Sequence, residues 1–368
     1  MKSTIIRIFL VIIVCPFVLF SQTNEQLEIV STDSIIQKTT KQGSLRELIG
    51  NVHLRQGNTD MFCKIMRWWV DLDRVVISEN VRIYDKVKEL VADEVLYNLK
   101  TKVYIARGNV VLKDTIRQVT ADEIQYFKIE DRFLADGNVI MHDLENYINI
   151  YSGYAEIDNQ KDYVKIVEDP VLIKHDSTNR EELRITGLKM ELYDGGEKAV
   201  VTDSVHITQK EASATCGVAE FYRDKDEIIL KENPVTWQNN DRISGEIIHL
   251  YLKKNRLVKA IVKENGLVIS RVDTTEIDMR FNKISGQQMT MFFKDQEIHK
   301  VVVENKATSF YYVVEDGEEK GMNKIIGDKI IVEIKDRKII DIWIESKPQL
   351  SEGIFYPPGF EPDEKEKN

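Results

Sequence analysis

Residues 104–126 read YIARGNVVLKDTIRQVTADEIQY. Two features of this stretch decide the fold. The first is Gly108-Asn109 followed by Val110, with Leu112 two residues on. The second is Val119-x-Ala121-x-x-Ile124-x-Tyr126, where apolar residues alternate up to a small one and resume on the other parity. Successive side chains of a strand point to opposite faces, so a period of two marks a strand with one buried face. A switch of parity inside a strand demands a bulge or sharp bend. The small Ala121 fits the inside of that corner, where a larger side chain would collide.

Both features recur on either side of this stretch. The first returns as Gly50-Asn51-Val52, Glu79-Asn80-Val81 and Gly137-Asn138-Val139, placing four valines at intervals of 29 residues. It continues in altered form as Asp169-Pro170-Val171, Asp203-Ser204-Val205 and Asn233-Pro234-Val235. An apolar residue stands two positions after each valine: Leu54, Ile83, Met141, Ile173, Ile207 and Trp237. In this alignment Pro170 and Pro234 replace Asn, which implies a position that donates no ladder hydrogen bond. The corner feature recurs with Cys63, Ala92, Ala121, Ser152, Gly187, Cys216, Gly245, Gly286 and Gly327 as its small residues. The last two intervals lengthen to 41 residues.

A unit of 29 residues is short for a strand–helix–strand crossover, and no segment keeps a helical period. Each unit therefore reads as an up-and-down pair of long bent strands. Nine units predict roughly 18 antiparallel strands, stacked about 4.8 Å apart over a length on the order of 80 Å. Bending every strand at its middle gives two facing sheets with an apolar interior. The alternating charges Arg82, Lys113, Asp114, Glu156 and Arg184 are expected to face water.

Composition narrows the function classes. Among 368 residues, 42% are hydrophobic and 30% charged, as in a folded globular chain, and the net charge is −10. That balance argues against a nucleic-acid binder, which needs a basic stripe to neutralise phosphates. Three cysteines do not make a disulfide scaffold. Cys63 and Cys216 sit at corners of units too far apart to join within one molecule. Residues 1–21 have the form of a cleaved signal peptide. Lys2 and Arg7 precede the 13 apolar residues of Ile8 to Phe20, a run short of the roughly 20 a membrane helix needs. An uncleaved anchor is the alternative. Val14 before Cys15 argues against a lipidation site. The rest divides into a polar segment 22–42, the repeated body 43–347 (its part 270–347 less regular) and a Pro-rich acidic tail 348–368.

The Gly-Asn-Val turn, followed by Ala-Asp-Glu-Val-x-Tyr at 92–97 and Ala-Asp-Glu-Ile-x-Tyr at 121–126, resembles the OstA/LptA family of lipopolysaccharide-transport proteins. The match is strongest over 48–160 and recognisable to about 270. The resemblance implies an elongated open β-jellyroll, or folded taco, whose greasy groove shields acyl chains. It also implies a periplasmic setting and edge-to-edge joining of like domains into a bridge between membranes. The implied partners are lipopolysaccharide or a related glycolipid, homologous β-jellyroll domains of inner- and outer-membrane components, and further copies of this chain. Two departures stand out. There are more repeats than in the family's short bridge protein, and no long run of amphipathic strands for a membrane barrel.

The candidate groove lining is Val52, Leu54, Val81, Ile83, Leu90, Val110, Leu112, Val119, Val139, Met141 and Ile150, with the corner residues beside it. Hydrophobic burial must do the holding, because an anionic protein attracts an anionic lipid poorly; lysines or divalent ions at the rim would meet the phosphates. The alternative is a closed core with no ligand, in a scaffold that assembles through its edges. The first unit (27–75) and the last (325–347) supply edges able to recruit a strand, unless 23–42 or 348–368 cover them. Nothing points to catalysis, a metal or a cofactor: the six histidines are scattered, and no nucleotide-binding loop is present. Glu315-Asp316-Gly317-Glu318-Glu319 reads as a hairpin turn rather than a calcium site. Trp68, Trp69, Trp237 and Trp343 read as core residues rather than sugar platforms.

Overall fold

The structure is a computed structural model. It describes residues 27–85, 88–210, 212–238, 241–253, 256–272, 280–295, 297–316, 318–335, 338–347 and 351–360. The leader 1–21 lies outside the described residues. The chain divides into two compact units, one running up to residue 201 and the other from 202.

The first unit holds β1 (Glu28–Ser31), β2 (Ser34–Thr40), β3 (Gly43–Gln56), β4 (Thr59–Trp69), β5 (Arg74–Asp85), β6 (Lys88–Asn98), β7 (Val103–Lys113), β8 (Arg117–Phe127), β9 (Arg132–Asp143), β10 (Ile148–Asp158), β11 (Tyr163–Val167), β12 (Val171–His175), β13 (Glu181–Thr186) and β14 (Lys189–Tyr193). Strand β15 (Lys198–Gln209) leads into the second unit. There follow β16 (Ala212–Tyr222), β17 (Glu227–Lys231), β18 (Val235–Gln238), β19 (Asp241–Ser244), β20 (Ile247–Lys253), β21 (Arg256–Arg271), β22 (Phe281–Lys294), β23 (Glu297–Glu315), β24 (Glu318–Lys335), β25 (Lys338–Glu345) and β26 (Glu352–Tyr356). The described residues contain no α-helix, only two 3-10 turns. Neighbouring strands pair antiparallel, so the all-β, bent-strand architecture holds.

Each strand is creased near its middle, by one of two devices that alternate. In β7, Gly108 and Asn109 both adopt left-handed φ, 73° and 48°. The same pair recurs at Gly50-Asn51, Glu79-Asn80 and Gly137-Asn138. Register shows the consequence: Val110 faces Ala121 and Arg107 faces Glu123, so two residues of β7 oppose Asp122 alone. Strands carrying the left-handed pair keep their inward parity (Tyr104, Ala106, then Val110, Leu112), whereas corner strands switch it (Val119, Ala121, then Ile124, Tyr126). At three of these creases a carboxylate on the neighbouring strand holds the Asn side chain, whereas at Glu79-Asn80 the neighbour is Lys64, 3.8 Å from the Glu79 carboxylate. Asn109 Nδ2 donates to Asp93 at 3.0 Å, Asn138 Nδ2 to Asp122 at 2.8 Å, and Asn51 Nδ2 to Asp33 at 3.0 Å. The halves on either side then face each other. Leu112, Val119 and Met141 from one half meet Ile124, Phe133, Ala135, Ala155 and Ile157 from the other around one small apolar void.

The proline alignment is corrected. Proline holds φ near −65° and cannot enter the left-handed region, so it cannot replace the Asn of the pair. The left-handed pair stands at Glu168-Asp169 and Glu232-Asn233 instead. Pro170 and Pro234 are buried in the slot the valine occupies elsewhere. Inward positions after them shift by one: Leu172 pairs with Ile150 and is buried, while Val171 and Ile173 are only half-buried.

The ends of the repeat are also longer than the sequence suggested. Within 22–42, β1 and β2 pair with the two halves of β3 and form one bent strand, with Asp33 at its crease. Strands β25 and β26 likewise pair with the two halves of β24, and Asp328 accepts the Lys347 N–H at 3.1 Å between them. The tail thus contributes a strand at 352–356. Six pairs of short segments are halves of single bent strands, so among the described residues the 26 segments make 20 bent strands, against the roughly 18 expected. The acidic run is a hairpin, with Glu315 opposite Glu318.

Candidate functional site

The candidate site is the inner face of the first unit. Its central observation is a single cross-strand row. Leu54 faces Met61, and the pairing continues through Ile83, Leu90, Leu112, Val119, Met141, Ile150, Leu172 and Ile185. Ten apolar residues therefore stand side by side, all buried, over about 43 Å at the usual strand spacing. A second inward row runs along the crease, where Val81 faces Ala92, Val110 faces Ala121 and Val139 faces Ser152. All eleven candidate lining residues are 0–5% exposed. The inner faces pack against each other around the small void described above.

On the other side of the crease the interior is aromatic. Tyr97 and Tyr104 stack at 3.9 Å between centroids, Tyr104 and Tyr126 at 6.1 Å, Tyr126 and Phe133 at 4.3 Å. Tyr97 and Tyr126 belong to the corner pattern, but Tyr104 and Phe133 were not singled out from sequence. Their signal is positional: each lies four residues before a Gly-Asn pair.

The outer face is polar as expected. Arg82 pairs with Glu89 at 2.8 Å, Lys113 with Glu89 at 2.9 Å, and Arg132 with Glu156 at 3.2 Å. Arg67 and Lys38 hold the Glu47 carboxyl below the usual range. The corner residues Cys63, Ala92, Ala121, Cys216, Gly286 and Gly327 are buried; Ser152, Gly187 and Gly245 are half-buried. A methyl group on Gly286 would collide with Val303, and one on Gly245 with Val262. That is the steric reason for small residues here.

Cys63 and Cys216 are free and buried. Burial pushes their thiols up to about 12 and about 11. Only the thiolate reacts, so Cys63 and Cys216 in the folded protein at pH 8 should be inert to a thiol reagent such as DTNB. Both should titrate on unfolding in urea; fast labelling of either in the folded chain would refute this packing.

The tryptophan reading is corrected in part. Trp237 and Trp343 are 37% and 45% exposed. Trp68 and Trp69 are half-buried beneath Arg46 and Arg74, at 5.3 Å and 5.2 Å. Two histidines sit in surface pairs, His53 with Asp60 at 2.7 Å and His249 with Glu227 at 2.8 Å. Among the described residues no group of three His, Cys, Asp or Glu could hold a metal.

A creased antiparallel ladder with an oily interior and a charged exterior defines the class: a bent-strand β-jellyroll. Residues 89–256 match the family described as LptA/(LptD N-terminal domain) LPS transport protein. Among solved structures it is similar to LptH, the LptA-homologous periplasmic component of the lipopolysaccharide transport device of Pseudomonas aeruginosa. Identity is 14%, coverage 40% of this chain and 95% of that one, and the TM-score 0.31. No curated protein matches the chain.

Proposed function

We propose that this chain is a periplasmic carrier that shelters the acyl chains of lipopolysaccharide or a related glycolipid and passes them towards the outer membrane. The observation that carries this reading is the unbroken row from Leu54 to Ile185, supported by the family match over 89–256. Burying one CH2 is worth about 0.8 kcal/mol, so several acyl chains left in water are prohibitive. Admitting a chain requires the two layers to part at their open side. Contacts between apolar side chains are then exchanged for contacts with an apolar ligand, which keeps the cost of opening small. Transfer between two such interiors is nearly isoenergetic, so direction comes from outside the protein.

The apolar edge residues extend the reading to partners. In the first unit Ile29 and Ile35 are exposed on β1 and β2; in the second, Ile340, Trp343 and Ile344 on β25. Edges of this kind suit docking of a like domain from an inner- or outer-membrane component, or a second copy of this chain, by strand addition.

The test places a photo-crosslinking amino acid at Leu112 or at Arg82 in cells. Leu112 is 2% exposed on the inner face, while Arg82 is on the outer face. Glycolipid adducts are expected from position 112 only; equal labelling from position 82 would sink the proposal. The second reading is a scaffold with a closed core, favoured by inner faces that pack directly against each other. It predicts adducts from neither position.

A further inference from the structure

The ladder of the first unit places a second row two residues outward from the apolar one, about 7 Å nearer the open side. Arg117 faces Asp143, Asp143 faces Ile148, Ile148 faces Lys174, and Lys174 faces Leu183. Arg117 shares the inward parity of Val119 and Ala121 and is 8% exposed. Its Nε is buried and has no hydrogen-bond partner. The neighbouring groups are otherwise engaged. Asp143 Oδ1 accepts the N–H groups of Glu145 and Asn146, and its Oδ2 accepts from Asn146 Nδ2. Asp114 accepts the N–H groups of Ile116 and Arg117. Lys174, the next cation of the row, pairs with Glu182 at 3.0 Å.

A buried guanidinium nitrogen without a partner is costly to leave unsatisfied. Guanidinium geometry suits bidentate binding of phosphate. We infer that Arg117 is an anion seat at the mouth of the trough, binding a phosphate group on an amphipath whose chains lie along Val119, Met141 and Ile150. This rests on the acyl-carrier reading and adds to it the chemistry that holds the head of the ligand. It also supplies positive charge on a chain whose net charge, −10, is unfavourable for anions.

The test uses the mature chain and two chain-matched lipids, dioleoyl phosphatidic acid and dioleoylglycerol, in detergent micelles, together with inorganic phosphate alone. Binding is read by displacement of a fluorescent fatty acid and by calorimetry, for wild type, Arg117→Gln and Arg117→Lys. Wild type should prefer phosphatidic acid by about tenfold, the scale of one charge-assisted hydrogen-bonded contact. Arg117→Gln should remove that preference and leave dioleoylglycerol binding unchanged, and Arg117→Lys should restore part of it. Unchanged melting of the variants confirms that they fold. If wild type and Arg117→Gln bind both lipids alike, the anion seat is overturned and the acyl carrier stands. If neither lipid binds but inorganic phosphate does, in an Arg117-dependent way, the seat stands for free phosphate and the carrier reading falls. If nothing binds, both fall.

Discussion

Gly108→Val should lower the stability of the first unit by about 3 kcal/mol, combining the strain of a left-handed residue with overpacking. The φ of Gly108 is +73°, and a Cβ there would overlap the Asp93 carboxylate that also accepts the Asn109 amide. β-Branched residues at positive φ are genuine outliers. Gly195→Ala is the control. Its φ is +65°, but nothing lies within 4 Å of the added carbon, so only the backbone strain of about 1 kcal/mol remains. Urea midpoints at constant m measure both. If Gly108→Val costs no more than Gly195→Ala, the bridging carboxylate is not a structural part of the crease.

Tyr104→Ala should cost about 3–5 kcal/mol, as for other large aromatic truncations in a core. Tyr104 is 5% exposed and packs between Tyr97 and Tyr126. Burial, with smaller contributions from Tyr97 and Tyr126, pushes its phenol well above the ordinary range; Tyr126 is raised too, chiefly by burial. The sign follows from proton counting. Above about pH 10 the unfolded chain loses phenolic protons that the folded one keeps. Stability is therefore complete below that pH and falls as pH rises, by up to about 1.4 kcal/mol per pH unit for each such group. Cys63, raised to about 12 by burial, acts in the same direction from its lower starting value. Tyr104→Phe should make the fall between pH 10 and 11.5 shallower. An identical slope in that variant would show that Tyr104 ionises freely in the folded state.

What was legible from sequence, and what was not, divides along a physical line. The parity switch at Ala92 and Ala121 is a local property: side-chain direction alternates residue by residue, so a change of inward face is written in the order of the residues. The prolines were misread because the motif was aligned by its valine. Backbone conformation, which excludes proline from positive φ, would have placed the pair at Glu168-Asp169 and Glu232-Asn233. Residues 28–40 and 352–356 looked like polar flanks. An edge strand shows one side to solvent and needs little apolar pattern, so only its hydrogen-bond partner reveals it.

Arg117 marks the limit most clearly. A hydropathy pattern assigns arginine to water. Arg117 has the parity of Val119, while Arg82 alternates with Val81 and Ile83, but parity alone does not say that a side chain so near a hairpin is covered. Cross-strand register does, by setting Arg117 in the inward column above Val119. The amino-acid order by itself determined that this chain is a creased, all-β repeat with one oily face, because strand period and corner size are read one strand at a time. Tertiary structure alone decided which strands finish the edges, how tightly the two layers close, and where a buried charge waits at the mouth. Those properties belong to contacts between residues dozens of positions apart, and no local pattern encodes them.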